Sequence, residues 1–317
     1  MSDEPTPARR SGPGFVVVRS DYGLPYSKGL MAQSIMATGL PPERSFVLAR
    51  LIEERLGERA GSEVSVDELR TLAEEVLMAE EGEAVTNRYH QWGRLGRLDR
   101  PLVVLIGGVT GVGKSTIATQ LASRLGITRV VATDQVRQVV RAFFSHDFMP
   151  AVHHSSFDVA TALESFGEGE GATVAGFLRQ VEDIAPGIDA LVQRAVEERG
   201  RIVIEGVHLL PEVPSATLRE QAVTARALLA VTDEQAHRAH FHMRGSQSPR
   251  PPQRYLEAFD RIRTLQGYLI ERARAADIPI IDEDGVEPAL KRMMEVVLDA
   301  VGGGGANVSE PKIEEDG

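Results

Sequence analysis

The 317-residue chain contains no cysteine. That removes disulfides, thiolate metal sites and cysteine nucleophiles from consideration together. Lysine is scarce too: Lys28, Lys114, Lys291 and Lys312 are the only four among 35 cationic side chains, the rest being arginine. Its apolar runs, such as LVVLI at 102–106, are far too short to cross a bilayer, so no membrane partner is expected. The opening stretch MSDEPTPARRSGPG has no apolar core, so no secretory signal is expected there and the cytoplasm is the expected location. A formal net charge of −11 argues against nucleic acid as a partner, because general nucleic-acid binders carry a basic face. It leaves room for a small anionic substrate in a local basic pocket, and it leaves homo-oligomer formation open. What is present is ordinary for a globular protein: 42% hydrophobic and 26% charged residues, in a length that suggests two domains.

Residues 1–14 and 302–317 are rich in Pro, Ser, Gly or acidic residues and are expected to be disordered. Between them the texture changes once. From 15 to 98 the pattern is one β-branched strand, FVVVR, followed by helices. Their apolar faces are expected at Leu30, Met31, Ile35 and Thr38, then at Phe46, Ala49, Ile52 and Leu56. Ser65 and Glu68 have capping-box spacing ahead of Leu69, Leu72 and Val76, and a last helix carries Val85, Tyr89, Trp92 and Leu95. From 99 to 301, short apolar runs at 102–106, 128–132, 201–204, 226–231 and 278–281 alternate with helical spacing. Strands that are apolar throughout belong to a parallel sheet covered on both faces, so this part reads as α/β and doubly wound. GEGEG at 167–171 reads as a break between helices.

The strongest local signal is GGVTGVGKSTIA. Gly108, Gly113, Lys114 and Ser115 satisfy G-x-x-x-x-G-K-[ST] between a strand and a helix. Such a loop turns the backbone N–H groups of Thr110, Gly111, Val112, Gly113 and Thr116 toward a phosphate, aided by the helix N-terminus. Lys114 would reach the β- and γ-phosphates of ATP, and the Ser115 hydroxyl is a Mg²⁺ ligand. The next strand ends in ATDQVR. Asp134 there is either a helix-capping carboxylate or a group that orients an acceptor hydroxyl, and Arg137 follows one turn later. A carboxylate beside a guanidinium suits a small anionic alcohol. RIVIEGVHLLP places Glu205 at the end of a third strand, where it could hold Mg²⁺ or orient the acceptor; His208 reads as a loop or packing residue. Arginines crowd HRAHFHMRGSQSPRPPQRYLEAFDRIR, and Arg244, Arg250 and Arg254, on its loop-like middle, are the candidates to neutralise phosphate charge. His237, His240 and His242 lack acidic companions at helical spacing, which disfavours a metal site.

LIGGVTGVGKSTIATQLASRLGI, VATDQVRQVVR, GFLRQVEDIAPGIDALVQRAVEERGRIVIEGVHLLP and RYLEAFDRIRTLQGYLIERA together resemble the 2-phosphoglycerate kinase family over about 100–290. FVVVRSDYGLPYSKGLMAQSIMATGL is similar to the opening of an ATP-cone domain, which precedes the kinase domain in that family. The resemblance implies transfer of the ATP γ-phosphoryl group to the 3-hydroxyl of 2-phosphoglycerate. By that resemblance Lys114 and Ser115 take the phosphate-loop roles, Asp134 and Arg137 the acceptor side, and Glu205 the Glu-Gly-Val-His element. Lys28 would be the position in the cone that meets a phosphate. Two other readings stay open on the residues alone: a kinase for another small acid, sugar or nucleoside, and an ATP-sensing regulator without kinase activity.

Overall fold

The computed structural model describes residues 16–19, 22–58, 63–95, 100–163, 167, 169–245, 253–282 and 284–303. The chain forms two compact units, dividing between Gly93 and Arg94.

In the first unit, β1 (Val16–Arg19) pairs antiparallel with β2 (Tyr22–Pro25) and parallel with β3 (Glu63–Ser65), giving the order β2-β1-β3. Sequence patterning finds only the first of these strands. YGLP shows no strand patterning of its own, and Pro25 ends an edge strand, where a missing N–H donor costs nothing. EVS is too short to show a period. Four helices follow or interleave: α1 (Lys28–Met36), α2 (Pro42–Gly57), α3 (Val66–Glu81) and α4 (Glu83–Leu95). Ser65 and Glu68 make the reciprocal capping box that starts α3. Met31, Ile35, Leu48, Ile52, Leu56, Leu72, Val76 and Tyr89 close one core. Leu30 and Phe46, both expected inside, are exposed. On α2 Ala49, Ile52 and Leu56 are buried as expected, but Ser45 and Leu48 take the place of Phe46, and the Ser45 hydroxyl can be buried because it donates to Pro41 O.

The second unit carries a five-stranded, all-parallel sheet in the order β5-β6-β4-β7-β8. Its strands are β4 (Leu102–Gly107), β5 (Val130–Ala132), β6 (Arg201–Gly206), β7 (Val223–Ala230) and β8 (Ile280–Asp282). Every residue of β4 is buried, which requires cover on both faces. Helix α5 (Lys114–Leu125) packs with the last helix, α13 (Val286–Gly303), and the 28-residue α8 (Glu170–Glu197) packs with α12 (Phe259–Ala275). Around them lie α6 (Thr133–Phe143), α7 (Val159–Ala162), α9 (Ala216–Gln221), α10 (Glu234–Gly245) and α11 (Gln253–Glu257). The α/β, doubly wound reading therefore holds. The strand bounds differ from the sequence reading by up to three residues, α8 takes in Glu170 and Gly171, and α13 runs through Gly303. The rest of the expected tail, and residues 1–14, lie outside the described residues.

From β4 the chain steps out to β5, returns to β6, then crosses β4 to β7. The carboxyl ends of β4, β5 and β6 flank that reversal, the place where open α/β sheets bind ligands.

Candidate active site

The loop after β4 is shaped by its glycines. Gly108 has φ 143°, and a Cβ there would lie 2.5 Å from Leu229 O, so the site admits no side chain. Gly113 takes the left-handed conformation as N-cap of α5, and no side chain caps that helix. The first-turn N–H groups are thus left for an anion, with the helix dipole behind them. Lys114 Nζ donates 2.7 Å to Val109 O, folding the side chain back over the loop.

Ser115 lies in the first turn of α5 and Glu205 near the end of β6; the Ser115 hydroxyl donates to Glu205 Oε1 at 2.7 Å. Glu205 is buried, so its carboxylate is aimed rather than free to sample solvent. Two hard oxygen donors in contact at a phosphate loop match the donor set that Mg²⁺ selects.

On the other side, Asp134 and Arg137 stand one turn apart on α6. Arg137 Nε donates to Asp134 Oδ1 at 3.1 Å, while its Nη1 donates to the carbonyls of Val152 and His154, each at 3.1 Å. Arg137 is buried, and sequence reasoning missed that it also stitches 152–154 to α6. Its Nη2 makes no hydrogen bond among the described residues. Burial would raise the Asp134 pKa, but His208, Arg137 and Lys114 outweigh it and hold the carboxyl below its ordinary value. Burial pushes His208 down to about 4, so at neutral pH the cations acting on Asp134 are Arg137 and Lys114.

His208 is fully buried within a polar chain. Gln180 Nε2 donates to Ala151 O and His154 O, which turns Gln180 Oε1 toward His208 Nε2–H at 3.0 Å. His208 Nδ1 then accepts from the Thr133 hydroxyl at 2.7 Å. The residue preceding Asp134 is thereby fixed to the same 151–154 segment that Arg137 holds. Gln180 carries no sequence signal, since it sits mid-helix in α8.

Lys114, Ser115, Asp134, Arg137, Glu205 and Tyr255 line one cleft of about 100 Å³. Arg254 is not on a loop; it lies on α11, donating to Asp158 Oδ2 at 2.9 Å and Ser155 Oγ at 3.0 Å beside that cleft. Arg238, Arg261 and Arg263 likewise have partners within the unit. Arg244 lies in the last turn of α10 with its side chain outside the described residues, and Arg250 lies outside them altogether. His237 and His240 donate to phosphate-loop carbonyls, and among the described residues no group of three or more His, Asp or Glu could hold a metal. No described helix is long and apolar enough to cross a membrane. In the first unit Lys28 pairs with Glu53 at 2.8 Å.

Comparison with known proteins identifies relatives over most of the chain. No family model matches. A 2-phosphoglycerate kinase of Methanococcus maripaludis strain C7 is 32% identical over 306 residues, covering 95% of this chain and 96% of its own. Proteins of the same name from Methanopyrus kandleri (33%, covering 87% of this chain and 84% of that one) and Pyrococcus horikoshii (34%, 89% and 93%) agree. Among solved structures, a gluconokinase from Sinorhizobium meliloti is 17% identical, covering 64% of this chain and 92% of that one at a TM-score of 0.36, a likeness too loose to carry fold or function. With curated relatives above 30% identity aligned along nearly its entire length, the chain belongs to the 2-phosphoglycerate kinase family.

Proposed function

We propose that this chain transfers the γ-phosphoryl group of ATP to the 3-hydroxyl of 2-phosphoglycerate, giving 2,3-bisphosphoglycerate and ADP. The observation that carries the reading is that one cleft gathers the phosphate-loop pair Lys114 and Ser115 and the acceptor-side pair Asp134 and Arg137. Phosphoryl transfer needs positioning and charge neutralisation more than covalent catalysis. In this reading the loop N–H groups and Lys114 hold the triphosphate, and Arg137 Nη2 binds the acceptor's anionic end. Asp134 orients the hydroxyl and takes its proton as the oxygen bonds to the γ-phosphorus and the bond to the β-phosphate oxygen breaks. Its lowered pKa keeps it ionised and able to accept that hydrogen bond. Ser115 and Glu205 fit a Mg²⁺ ion, directly or through its water; the ion neutralises phosphate charge when bound.

Arg254 shapes the cleft in this reading by holding Asp158 and Ser155, while Arg244 and Arg250 remain candidates for phosphate charge. The first unit is read as an ATP-cone-like appendage that senses nucleotide. Lys28 would have to exchange Glu53 for a phosphate, a small cost for an exposed pair.

The test is turnover of the purified chain with ATP, Mg²⁺ and 2-phosphoglycerate, with 3-phosphoglycerate as control. Equal turnover of both acids, or of neither, would refute the assigned acceptor.

A further inference from the structure

We propose that His237 and His240 are positioning residues that set the orientation of two phosphate-loop peptides. They project one turn apart from α10, so both rings face the same way. His237 Nε2–H donates to Thr110 O at 2.9 Å, and His240 Nδ1–H donates to Gly111 O at 2.9 Å. Lys114 Nζ holds the preceding carbonyl, Val109 O. Three successive carbonyls of the loop are thus engaged by side chains.

In a trans peptide the C=O and the following N–H point in opposite directions. Fixing Thr110 O toward α10 therefore aims the Gly111 N–H away from α10, and fixing Gly111 O does the same for the Val112 N–H. Those N–H groups belong to the loop that cradles phosphate. Without the histidines each peptide could rotate, and an anion would have to organise the loop as it bound, at a cost in affinity.

The contact is too close to be incidental. A Cβ on Gly111 would lie 2.6 Å from Phe241 Cζ and 2.9 Å from His237 Nε2, so loop and helix meet with no room for a side chain at 111. The His237 ring stacks on Phe241, with centroids 5.2 Å apart, and meets Phe259 edge-on at 5.4 Å. His237 Nδ1 is buried with no hydrogen-bond partner. Burying a bare nitrogen costs desolvation energy that a hydrocarbon at this position would avoid. What the imidazole supplies in return is the Nε2–H donor on Thr110 O.

The inference rests on the reading that this loop holds ATP, and the experiment separates the two. ATP binding by calorimetry, kcat and both KM values would be measured on the full chain and on H240A, H240N, H237A and H237Q, with thermal unfolding of each. Asparagine places an amide N–H near the histidine Nδ1, and glutamine places one near Nε2. H240A is expected to weaken ATP about five- to tenfold, the worth of one ordinary hydrogen bond, with the KM for 2-phosphoglycerate held. H240N is expected to restore most of that affinity, and H237Q to restore what H237A loses. The His240 pair decides the matter if H237A does not fold. H240N as weak as H240A, H240A binding like wild type, or both KM values rising together would overturn the proposal. Failure of the wild-type chain to bind ATP at all would instead overturn the kinase reading beneath it.

Discussion

Glu205 accepts a 2.7 Å hydrogen bond from the Ser115 hydroxyl, joining the end of β6 to the first turn of α5 across 90 residues of sequence. The bond exists because parallel pairing of β4 with β6 sets Ile106 beside Glu205, which brings the carboxylate level with the phosphate loop. If the pair serves Mg²⁺, charge matters more than shape. Glu205→Gln keeps an acceptor for Ser115 but removes a buried charge, so the fold should survive and the unfolding midpoint should hold or rise. Turnover should drop about a hundredfold, with a higher Mg²⁺ requirement. A variant with wild-type kcat and wild-type Mg²⁺ dependence would remove Glu205 from the reaction.

Lys114→Ala should abolish measurable turnover, since the ammonium is the phosphate loop's own counter-charge to the triphosphate. Because Lys114 Nζ also holds Val109 O, the variant should lose ATP affinity as well. Calorimetry showing full ATP affinity with lost turnover would confine Lys114 to the transition state.

Arg137 has two jobs that a single substitution confounds. Arg137→Ala removes the donor to Val152 O and one of two donors to His154 O, as well as the group offered to the acceptor. Destabilisation of roughly 2–4 kcal/mol should therefore accompany a raised KM for 2-phosphoglycerate. Asp134→Asn separates the roles, because it keeps an oxygen for Arg137 Nε while losing the base. Its kcat should fall by about 10²–10³ with little change in melting temperature. An Asp134→Asn enzyme with unchanged kcat would leave Asp134 as a helix-start carboxylate only.

Gly206 ends β6 with φ 155°, and a Cβ there would sit 1.8 Å from Thr133 Oγ1. Thr133 cannot retreat, since its hydroxyl is bonded to His208. Gly206→Ala should thus cost roughly 2–4 kcal/mol and lower kcat, by pushing away the helix start that carries Asp134. Melting curves and kcat together would check this; a variant with normal values of both would show that the helix start can move freely.

How much of this was legible in sequence differs by residue. The phosphate loop was, because backbone geometry leaves few alternatives to glycine at 108 and 113. The positions of Glu205 and Asp134 were also legible, as acids at or just after the carboxyl ends of apolar strands of a parallel sheet. β2 and β3 were not, since YGLP and EVS are held by pairing with β1 rather than by their own propensity. Nor was Phe46, which helical spacing placed inside; a stripe a few residues wide fixes a face only to within one position, and the buried Ser45 decided it. The roles of Gln180, His237 and His240 depend on partners 26 to 129 residues away, which no local pattern encodes.

His208 gives the fold a specific weakness toward acid. It stays neutral in the folded chain down to about pH 4, because burial disfavours the imidazolium, whereas an unfolded histidine titrates near 6.5. Between those values the unfolded chain binds a proton that the folded chain refuses, so stability falls as pH drops from 6.5 to 4 and this contribution is constant below that. The difference corresponds to about 3 kcal/mol over the full window and about 2 kcal/mol between pH 7.5 and 5. Other buried groups add to the wild-type slope, so the informative quantity is the comparison with His208→Gln, which cannot titrate. Urea unfolding of both proteins from pH 7.5 to 4.5 should show a shallower loss for the variant, by close to one proton. Parallel curves would mean that the imidazole takes up its proton in the folded chain as readily as in the unfolded one, with Nδ1–H then donating to the Thr133 hydroxyl while Nε2–H still donates to Gln180 Oε1.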